Sequence, residues 1–461
     1  MKTHKFKVFI STAHIDPQDE QDNTGDIDYA KAIYEESSKL LPEQVCRISG
    51  LFKEQEIYAH IEERADIEPV LHVMINPPRT GMAFTSEGLR AFKEKNKAKI
   101  IITAIEFAKL INNKDSTINI ANGLKILSVA DQIIFLDSND KDVAYVFADQ
   151  SLKSKINQAS IVPVLPTIEQ LLTVPIQNRE KNIISFGMIR VGKGLGLVIL
   201  LATMLKQKNI TDQKVLVVGT VQDNPGGAKE LKRLMMTLYP TKLSEIKSQT
   251  TTTELKKLLC NYNNDPTIIP DLPMEIHVDV PKDQLLPLFN RCTYAFLPAY
   301  RGATFRNSSI TSCLAQRFII YSHIDPITPI ELLPEGAYTN ALMLFNGFNG
   351  DNGQIYVDWV LQNILAREQN PALNIECIEA IEKLLSEKLS RDVVGKQHVD
   401  LYNSDSSACV VIANGIQPKH RFFGLWYAAF QAKRAYKQFK QVHDIDISKQ
   451  AKKNWSELIK R

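Results

Sequence analysis

Cysteine, long apolar runs and net charge are the features of which this chain has little. Its 461 residues include six cysteines, which are scattered singly without metal or redox spacing. We therefore expect reduced, buried thiols, which are typical of a cytoplasmic protein. The longest apolar run, at 195–205, is well short of the ~20 residues that cross a membrane. A net charge of +3 implies no whole-chain field for nucleic acid, so no nucleic-acid partner is expected.

Catalytic and metal-binding patterns are missing as well. No Ser–His–Asp or Cys–His arrangement for a nucleophile stands out, and there is no internal repeat. Asp26 and Asp28 have the D-x-D spacing of a metal site, but both fall in the first turn of a predicted helix, where acids are common. We therefore expect no metal ion and no cofactor.

The most informative stretch of the chain is 186–196, with the sequence FGMIRVGKGLG. An apolar strand leads into it and an apolar helix leaves it, an arrangement that points backbone N–H groups and a helix dipole at a phosphate. The spacing Gly187-x4-Gly192-Lys193 is almost that of a Walker A loop, but Gly194 stands where a magnesium ligand is needed. The motif indicates a phosphate site; the alternative is a strand–turn–helix whose glycines only make the turn.

Alternating strand and helix patterns fill both halves of the chain. Short apolar strands are predicted at 7–11, 70–75, 99–103, 132–136, 183–186, 214–218, 275–278, 293–297 and 318–321. Such alternation predicts parallel sheets with helices on both faces and ligands beyond the carboxyl ends of the strands. We predict an N-terminal domain at 1–170 and a C-terminal domain at 180–385, joined by a Pro-containing connector. A closing helix at 386–403 and a basic helical tail at 404–461 follow.

Four motifs resemble, in order along the chain, those of glycosyltransferase family 4. They are 186–195, similar to F-G-R-I-R-x-x-K-G-L; 279–289, similar to the loop and helix before the donor site; 295–309, similar to P-F-x-D-G-x-S-x-R-R-G-S; and 394–402, similar to the closing helix I-A-x-x-H-L-x-L-Y. Several weak motifs in the right order are more specific than any one of them. The resemblance implies the α/β GT-B fold, in which two Rossmann-like, doubly wound domains face each other across a cleft.

The resemblance also assigns a donor site. Arg190 and Lys193 would grip the donor diphosphate, Arg by two-pronged contact and Lys as a point charge. Backbone N–H groups of 302–309, Arg306 and the Ser309 hydroxyl would complete the donors around the leaving oxygen. The alternatives are a surface ion pair for Arg306 and a helix N-cap for Ser309. The predicted donor-binding set is Gly25 (which opens a helix where the family has a Gly-rich loop), Gly187, Arg190, Lys193, Gly302, Thr304, Phe305, Arg306 and Ser309.

The chain departs from the family at several of its functional positions. Two Glu residues that hold the donor sugar and ribose in many members correspond here to Thr304 and Ser312, and Arg317 stands where Gly is usual. In the T-x-H-E-F motif, Ile105 replaces the His and Glu106 keeps the acid. His72, at the end of a predicted strand, is the nearest substitute. We predict Arg190, Lys193, His72 and Glu106 as catalytic residues; the alternative for His72 is a satisfied structural histidine.

The resemblance therefore implies a retaining, metal-independent glycosyltransferase. It would move a sugar from a nucleoside-diphosphate sugar to a hydroxyl on a glycan, lipid or protein acceptor. The alternatives are a catalytically weakened protein that binds a nucleotide sugar or a protein partner, and another sugar-nucleotide activity such as epimerisation. From Pro418 onward Lys and Arg outnumber acids and alternate with aromatic residues. That pattern predicts either an amphipathic helix docked on the body or a partner- or membrane-surface helix. In the second case, the expected cytoplasmic protein would make peripheral contact with a membrane.

Overall fold

The computed structural model describes residues 6–12, 25–51, 53–65, 67–76, 84–105, 116–164, 166, 174–299, 302–325, 328–334 and 336–404. Glu106 and the tail at 405–461 lie outside these residues. The chain divides into two compact units, Met1–Thr167 with Lys388–Arg461, and Ile168–Glu387. The first is thus built from both ends of the sequence, and the second from its middle.

The elements of the first unit alternate along the chain. They are β1 (Lys7–Thr12), α1 (Gly25–Leu40), β2 (Val45–Ile48), α2 (Glu54–Arg64), β3 (Pro69–Ile75), α3 (Ser86–Asn96), β4 (Lys99–Ala104), α4 (Ser116–Val129), β5 (Gln132–Phe135), α5 (Ser138–Phe147), α6 (Gln150–Gln158) and β6 (Ser160–Ile161). Every strand pair in its sheet is parallel, in the order β2-β1-β3-β4-β5-β6. The carboxyl ends of all six strands therefore meet at one edge.

The second unit repeats this plan. Its elements are β7 (Asn182–Phe186), α7 (Leu195–Gln207), β8 (Val215–Gly219), α8 (Pro225–Leu238), α9 (Leu243–Ser248), α10 (Thr252–Asn264), β9 (Met274–Val278), α11 (Lys282–Asn290), β10 (Cys292–Phe296), α12 (Ser308–Ala315), β11 (Ile319–His323), β12 (Met343–Phe345), α13 (Gly353–Gln369) and α14 (Ala372–Leu384). The sheet is again wholly parallel, in the order β12-β11-β10-β7-β8-β9. The prediction of two doubly wound α/β sheets is confirmed.

Burial on both faces explains why these strands were visible in the sequence. Along β3 and β4, alternate residues enter two separate apolar clusters: Leu71, Val73 and Ile100 pack with α2 to α6, whereas Val70 and Ile101 pack with α1 on the other face. A strand covered on both faces must be apolar at nearly every position, so it reads as a continuous apolar run. The nine predicted strands are all present to within two residues.

The last described helix, α15 (Arg391–Asn403), returns the chain to the first unit. It begins five residues later than the predicted closing helix, after a π-helical turn at Leu385–Leu389. Val394, Val399 and Tyr402 join the cluster on the α1 face of the sheet. Arg391 forms ion pairs with Glu35 (2.8 Å) and Glu36 (2.7 Å) of α1. The helix is therefore an integral part of the first unit's core.

The expectation of buried cysteines holds for only some of them. Cys292, Cys313 and Cys377 are buried, and burial raises the pKa of the Cys377 thiol to about 11. Cys260 is exposed on α10, and Cys46 is half-buried. No described cysteine takes part in a disulfide. None of the described helices has the length and apolar character needed to cross a membrane.

Candidate phosphate-binding site

The turn between β7 and α7 lies at the carboxyl edge of the second sheet. Gly187 donates its N–H to Val218 O (3.0 Å) and Ile189 donates to Thr220 O (2.8 Å), so the chain stays attached to β8 as it leaves the strand. Gly194, with φ of 70°, is the N-cap of α7 and offers no side chain to its first turn. The leading N–H groups of a thirteen-residue helix are thus left without a side-chain cap, which is where an anion is stabilised.

The second predicted motif lies directly against this turn. A Cβ on Gly187 would stand 2.1 Å from Ser309 Oγ, and one on Gly194 would stand 2.0 Å from Pro298 O. Both positions also have positive φ, 126° and 70°, which favour glycine. Two segments more than a hundred residues apart in the sequence are therefore in contact because glycine leaves room for them.

A pocket opens where these two segments meet. It is lined by Ser185, Phe186, Gly187, Met188, Ile189, Lys193, Leu195, Val217, Leu297, Ala299, Asn307 and Ser309. Polar groups come from Lys193, Asn307 and the two serines, whereas most of the wall is apolar. None of these lining residues is acidic, so the local charge is positive. Such a pocket suits an anion, because the attraction between the anion and the Lys193 ammonium is stronger where water is excluded.

Lys193 dominates the electrostatics of the pocket. Its half-buried ammonium loses hydration and lies near Arg190, and these two effects lower its pKa to about 8. Arg190 is exposed and is not among the residues that line the pocket. Within the described part of the chain, neither cation has a hydrogen-bond or ion-pair partner. A desolvated ammonium without a counter-ion is costly to keep charged, and an anionic ligand would relieve that cost.

Four other predicted donor-loop residues, Gly302, Thr304, Phe305 and Arg306, do not line the pocket. Gly302 has φ of 59°, and its N–H donates to Ala299 O (2.8 Å). Ala303 N–H donates to His323 O, and Thr304 O accepts from Asn307 N–H. Thr304 and Phe305 are buried, whereas Arg306 is half-buried. The amides of Gly302, Ala303, Asn307 and Ser309 are already bonded, so half of the predicted cradle of eight loop N–H groups is used within the fold.

Asn307 is a lining residue that the sequence reasoning did not select. It is the N-cap of α12, and its side chain accepts a hydrogen bond from Ser309 N (3.1 Å). Ser309 is therefore not the N-cap; it is the second residue of the helix and is buried against Gly187. The Asn-Ser-Ser sequence before an apolar helix is a recognisable cap signal and would have revealed Asn307.

The positions of the missing Glu pair do not provide substitutes. Thr304 is 4% exposed, and Ser312 is fully buried within α12. Arg317, where Gly is usual in the family, has φ of 59°, and its guanidinium pairs with Glu382 of α14. The left-handed backbone explains the preference for Gly, and the ion pair with Glu382 offsets part of the strain. Neither Thr304 nor Ser312 supplies a carboxylate to the pocket.

His72 lies in the core of the first unit. It is fully buried, with Nδ1 2.9 Å from Tyr402 Oη and Nε2 2.8 Å from Thr103 Oγ1. Burial and the neighbouring His398 hold its pKa well below the usual range, so the ring is neutral. With both nitrogens occupied, it has no atom to offer a ligand, and this geometry does not support the predicted catalytic role. Gly25 is the first residue of α1, and Glu106 lies outside the described residues.

The contact between Gly187 and Ser309 predicts that replacing two glycines of the same turn by alanine has different effects on stability. Gly187→Ala adds left-handed strain and drives Cβ into Ser309 Oγ, whereas Gly192→Ala adds the strain at φ of 87° in open space. We expect Gly192→Ala to cost about 1 kcal/mol of unfolding free energy and Gly187→Ala about 2–3 kcal/mol. Chemical denaturation measures both. Equal losses would show that the two segments are not in contact.

Comparisons with known proteins found similar chains among solved structures. No family model matches the chain, and no curated protein matches it. Trehalose-6-phosphate from E. coli bound with UDP-2-fluoro glucose matches at 10% identity, over 87% of this chain and 99% of that chain, with a TM-score of 0.50. Sucrose-phosphate synthase from Thermosynechococcus elongatus matches at 12% identity over 86% and 98%, with a TM-score of 0.49. The α,α-trehalose 6-phosphate synthase from Burkholderia multivorans matches at 11% over 90% and 100%, with a TM-score of 0.47.

The chain is a divergent protein of the GT-B fold. Two parallel six-stranded sheets, each flanked by helices, are joined in one chain, and the E. coli match spans 87% of this chain. This confirms the fold that the motifs predicted. At 10% identity, the likeness establishes the fold and not the activity.

Proposed function

We propose that this protein is a glycosyltransferase that uses a nucleoside-diphosphate sugar as donor. The observation that carries the proposal is the junction of the Gly187–Lys193 turn with Asn307 and Ser309 around one cationic pocket. The fold is shared with a protein that is bound with UDP-2-fluoro glucose. The position, beyond the carboxyl ends of parallel strands, is where ligands bind in open α/β sheets.

The chemistry follows from where charge develops. Breaking the bond between the anomeric carbon and the diphosphate places negative charge on the departing oxygen. Lys193 and Arg190 would neutralise that charge, and the uncapped N-terminus of α7 would add its dipole. Since these groups provide the positive charge themselves, the reaction proposed here needs no metal ion. We propose retention of configuration, with the leaving phosphate guiding the acceptor hydroxyl onto the same face.

A protein that binds the nucleotide sugar without turning it over is the second candidate. Two observations favour it: neither Thr304 nor Ser312 presents a carboxylate, and His72 is sealed in the core of the first unit. Both candidates use the same pocket, so binding alone does not separate them. Only the first candidate turns over the nucleotide sugar.

The deciding experiment measures loss of the sugar from nucleoside-diphosphate sugars, with and without candidate acceptors. A donor is first chosen by thermal shift, since a ligand at a hundred times its Kd stabilises by about 2.7 kcal/mol. We expect turnover by the wild type and at least ~100-fold less by Arg190→Ala with Lys193→Ala, because two charge-assisted contacts are lost. Binding with equal, background-level turnover in both proteins would favour the binding role. No ligand among nucleotides or their sugars would contradict both.

A further inference from the structure

The returning helix α15 covers one face of the first unit's sheet. It follows directly on the point where the chain leaves the second unit, between residues 387 and 388. Gly395 packs so closely on α1 that a Cβ there would lie 2.6 Å from Glu36 Cβ. At its far end, Lys99 Nζ donates to the carbonyl oxygens of Leu401 (2.6 Å) and Ser404 (2.5 Å). Both ends of α15 are therefore held by charged contacts with the first unit.

The middle of this contact contains two histidines, and among the described residues neither hydrogen-bonds to an acidic side chain. His398 of α15 stacks on His72 of β3 with ring centroids 5.6 Å apart, and Tyr402 of α15 closes the Nδ1 side of His72. Tyr29 of α1 meets the His398 ring edge-on at 6.1 Å. All four side chains are at most 2% exposed. Detaching α15 would therefore expose both imidazoles to water at once.

Hydrogen bonding fixes the neutral form of His398. Its Nδ1 lies 2.9 Å from the carbonyl oxygen of Val394, so the ring proton resides there. The other nitrogen, Nε2, is buried with no partner in the described part of the chain. A proton added at Nε2 would create a buried N–H without an acceptor next to a second imidazole. Burial lowers the pKa of His398 to about 4.

The charged groups around the pair do not compensate for that proton. Glu36 on α1 is committed to Arg391 and Lys39, and Glu35 to Arg391. Lys99 from β4 is cationic, and the facing Tyr29 and Tyr402 hydroxyls have their pKa values raised by burial, so both remain neutral. Of the side-chain types in this contact, the imidazole is the one whose ordinary pKa, about 6.5, lies between pH 5.5 and 7.5.

We propose that α15 is an acid-sensitive latch: protonation of the His72–His398 pair makes detachment of the helix from the first unit more favourable, while the sheet beneath it stays folded. The direction of the pH effect follows from the linkage between proton binding and opening. Both rings are neutral when buried, whereas an imidazole exposed to water has an ordinary pKa of about 6.5. The open form therefore binds more protons below that pH, and opening becomes easier as pH falls. The face packed on α2 to α6 contains neither ring and stays covered.

Hydrogen exchange of the full chain at pH 7.5, 6.5 and 5.5 tests this latch. Rates are converted to protection factors so that the intrinsic pH dependence of exchange is removed. Each histidine that becomes exposed to water raises the equilibrium constant for opening about tenfold over this range. Protection of peptides from 391–403 should therefore fall ~10- to 100-fold. Peptides from β4 should change far less. A parallel loss in both regions, or unchanged protection of α15, would overturn the proposal.

Two variants identify the responsible group. His398→Phe keeps an aromatic ring in the stack and removes one titrating site, so it should reduce the acid-induced loss of protection in 391–403 about tenfold. His60→Gln removes a histidine of α2 that contacts Arg64 and not α15, and should leave the loss unchanged. If His398→Phe opens with acid as the wild type does, the histidine pair is not the trigger. If that variant fails to fold, the wild-type series alone decides.

Discussion

Replacing Arg190 and Lys193 together by Ala is expected to weaken binding of a nucleoside diphosphate at least ~100-fold, since each charge-assisted hydrogen bond contributes about 1.5–3 kcal/mol. The structure explains why binding should weaken at least this much. Neither cation is committed to a partner in the described part of the chain, so each is available to phosphate oxygens. Lys193 is also partly desolvated, which strengthens its attraction to an anion. Isothermal titration calorimetry measures the change.

The matched control removes the same charge elsewhere in the second unit. Lys206, at the end of α7, is paired with Asp271, and Lys257 is exposed on α10. Lys206→Ala with Lys257→Ala should leave the Kd within about threefold, because exposed charges are screened over about 10 Å in ordinary buffer. Similar losses in both double variants would mean that the ligand responds to the general field and not to the pocket.

Ligand affinity is expected to fall as pH rises above about 8. Lys193 has a pKa of about 8 in the free protein, and a bound phosphate would raise it, so binding takes up a proton once the free lysine has lost one. The apparent Kd should therefore increase about 20-fold between pH 7.5 and 9.5. Below pH 7.5 the lysine is mostly charged, and this contribution to the pH dependence disappears.

Lys193→Arg provides the comparison, because guanidinium stays protonated throughout this range. Titration of the ligand itself affects both proteins equally, so the ratio of their Kd values at each pH isolates Lys193. Calorimetry in buffers of different ionisation enthalpy gives an independent count of protons taken up by the wild type. A constant ratio, with no proton uptake at pH 8.5, would show that Lys193 does not meet the anion.

The fold was largely predictable because most strands are buried on both faces. The three strands that were missed are short members of the sheets: β2 and β12 have partly exposed residues, and β6 has only two. Residues Val45–Ile48 form an edge strand, and its two middle residues, Cys46 and Arg47, are partly exposed. The strand therefore lacks a continuous apolar run. A three-residue strand such as Met343–Phe345 leaves too little pattern to detect.

The pocket was predictable in outline, whereas the roles of individual side chains were not. The glycine spacing indicated an anion site, but the contact between Gly187 and Ser309 depends on a tertiary approach that no local pattern encodes. His72 was selected because it ends an apolar strand. Its partners, Tyr402 and Thr103, come from a distant helix and a neighbouring strand, so only the folded chain reveals that both its nitrogens are occupied.

A crystal structure with a bound nucleoside diphosphate decides whether the β7–α7 turn holds the phosphates. We expect the diphosphate at this turn, with Lys193 Nζ and the Arg190 guanidinium within about 3 Å of its oxygens and Ser309 beside Gly187. A diphosphate bound elsewhere in the chain, with both cations turned towards solvent, would contradict it.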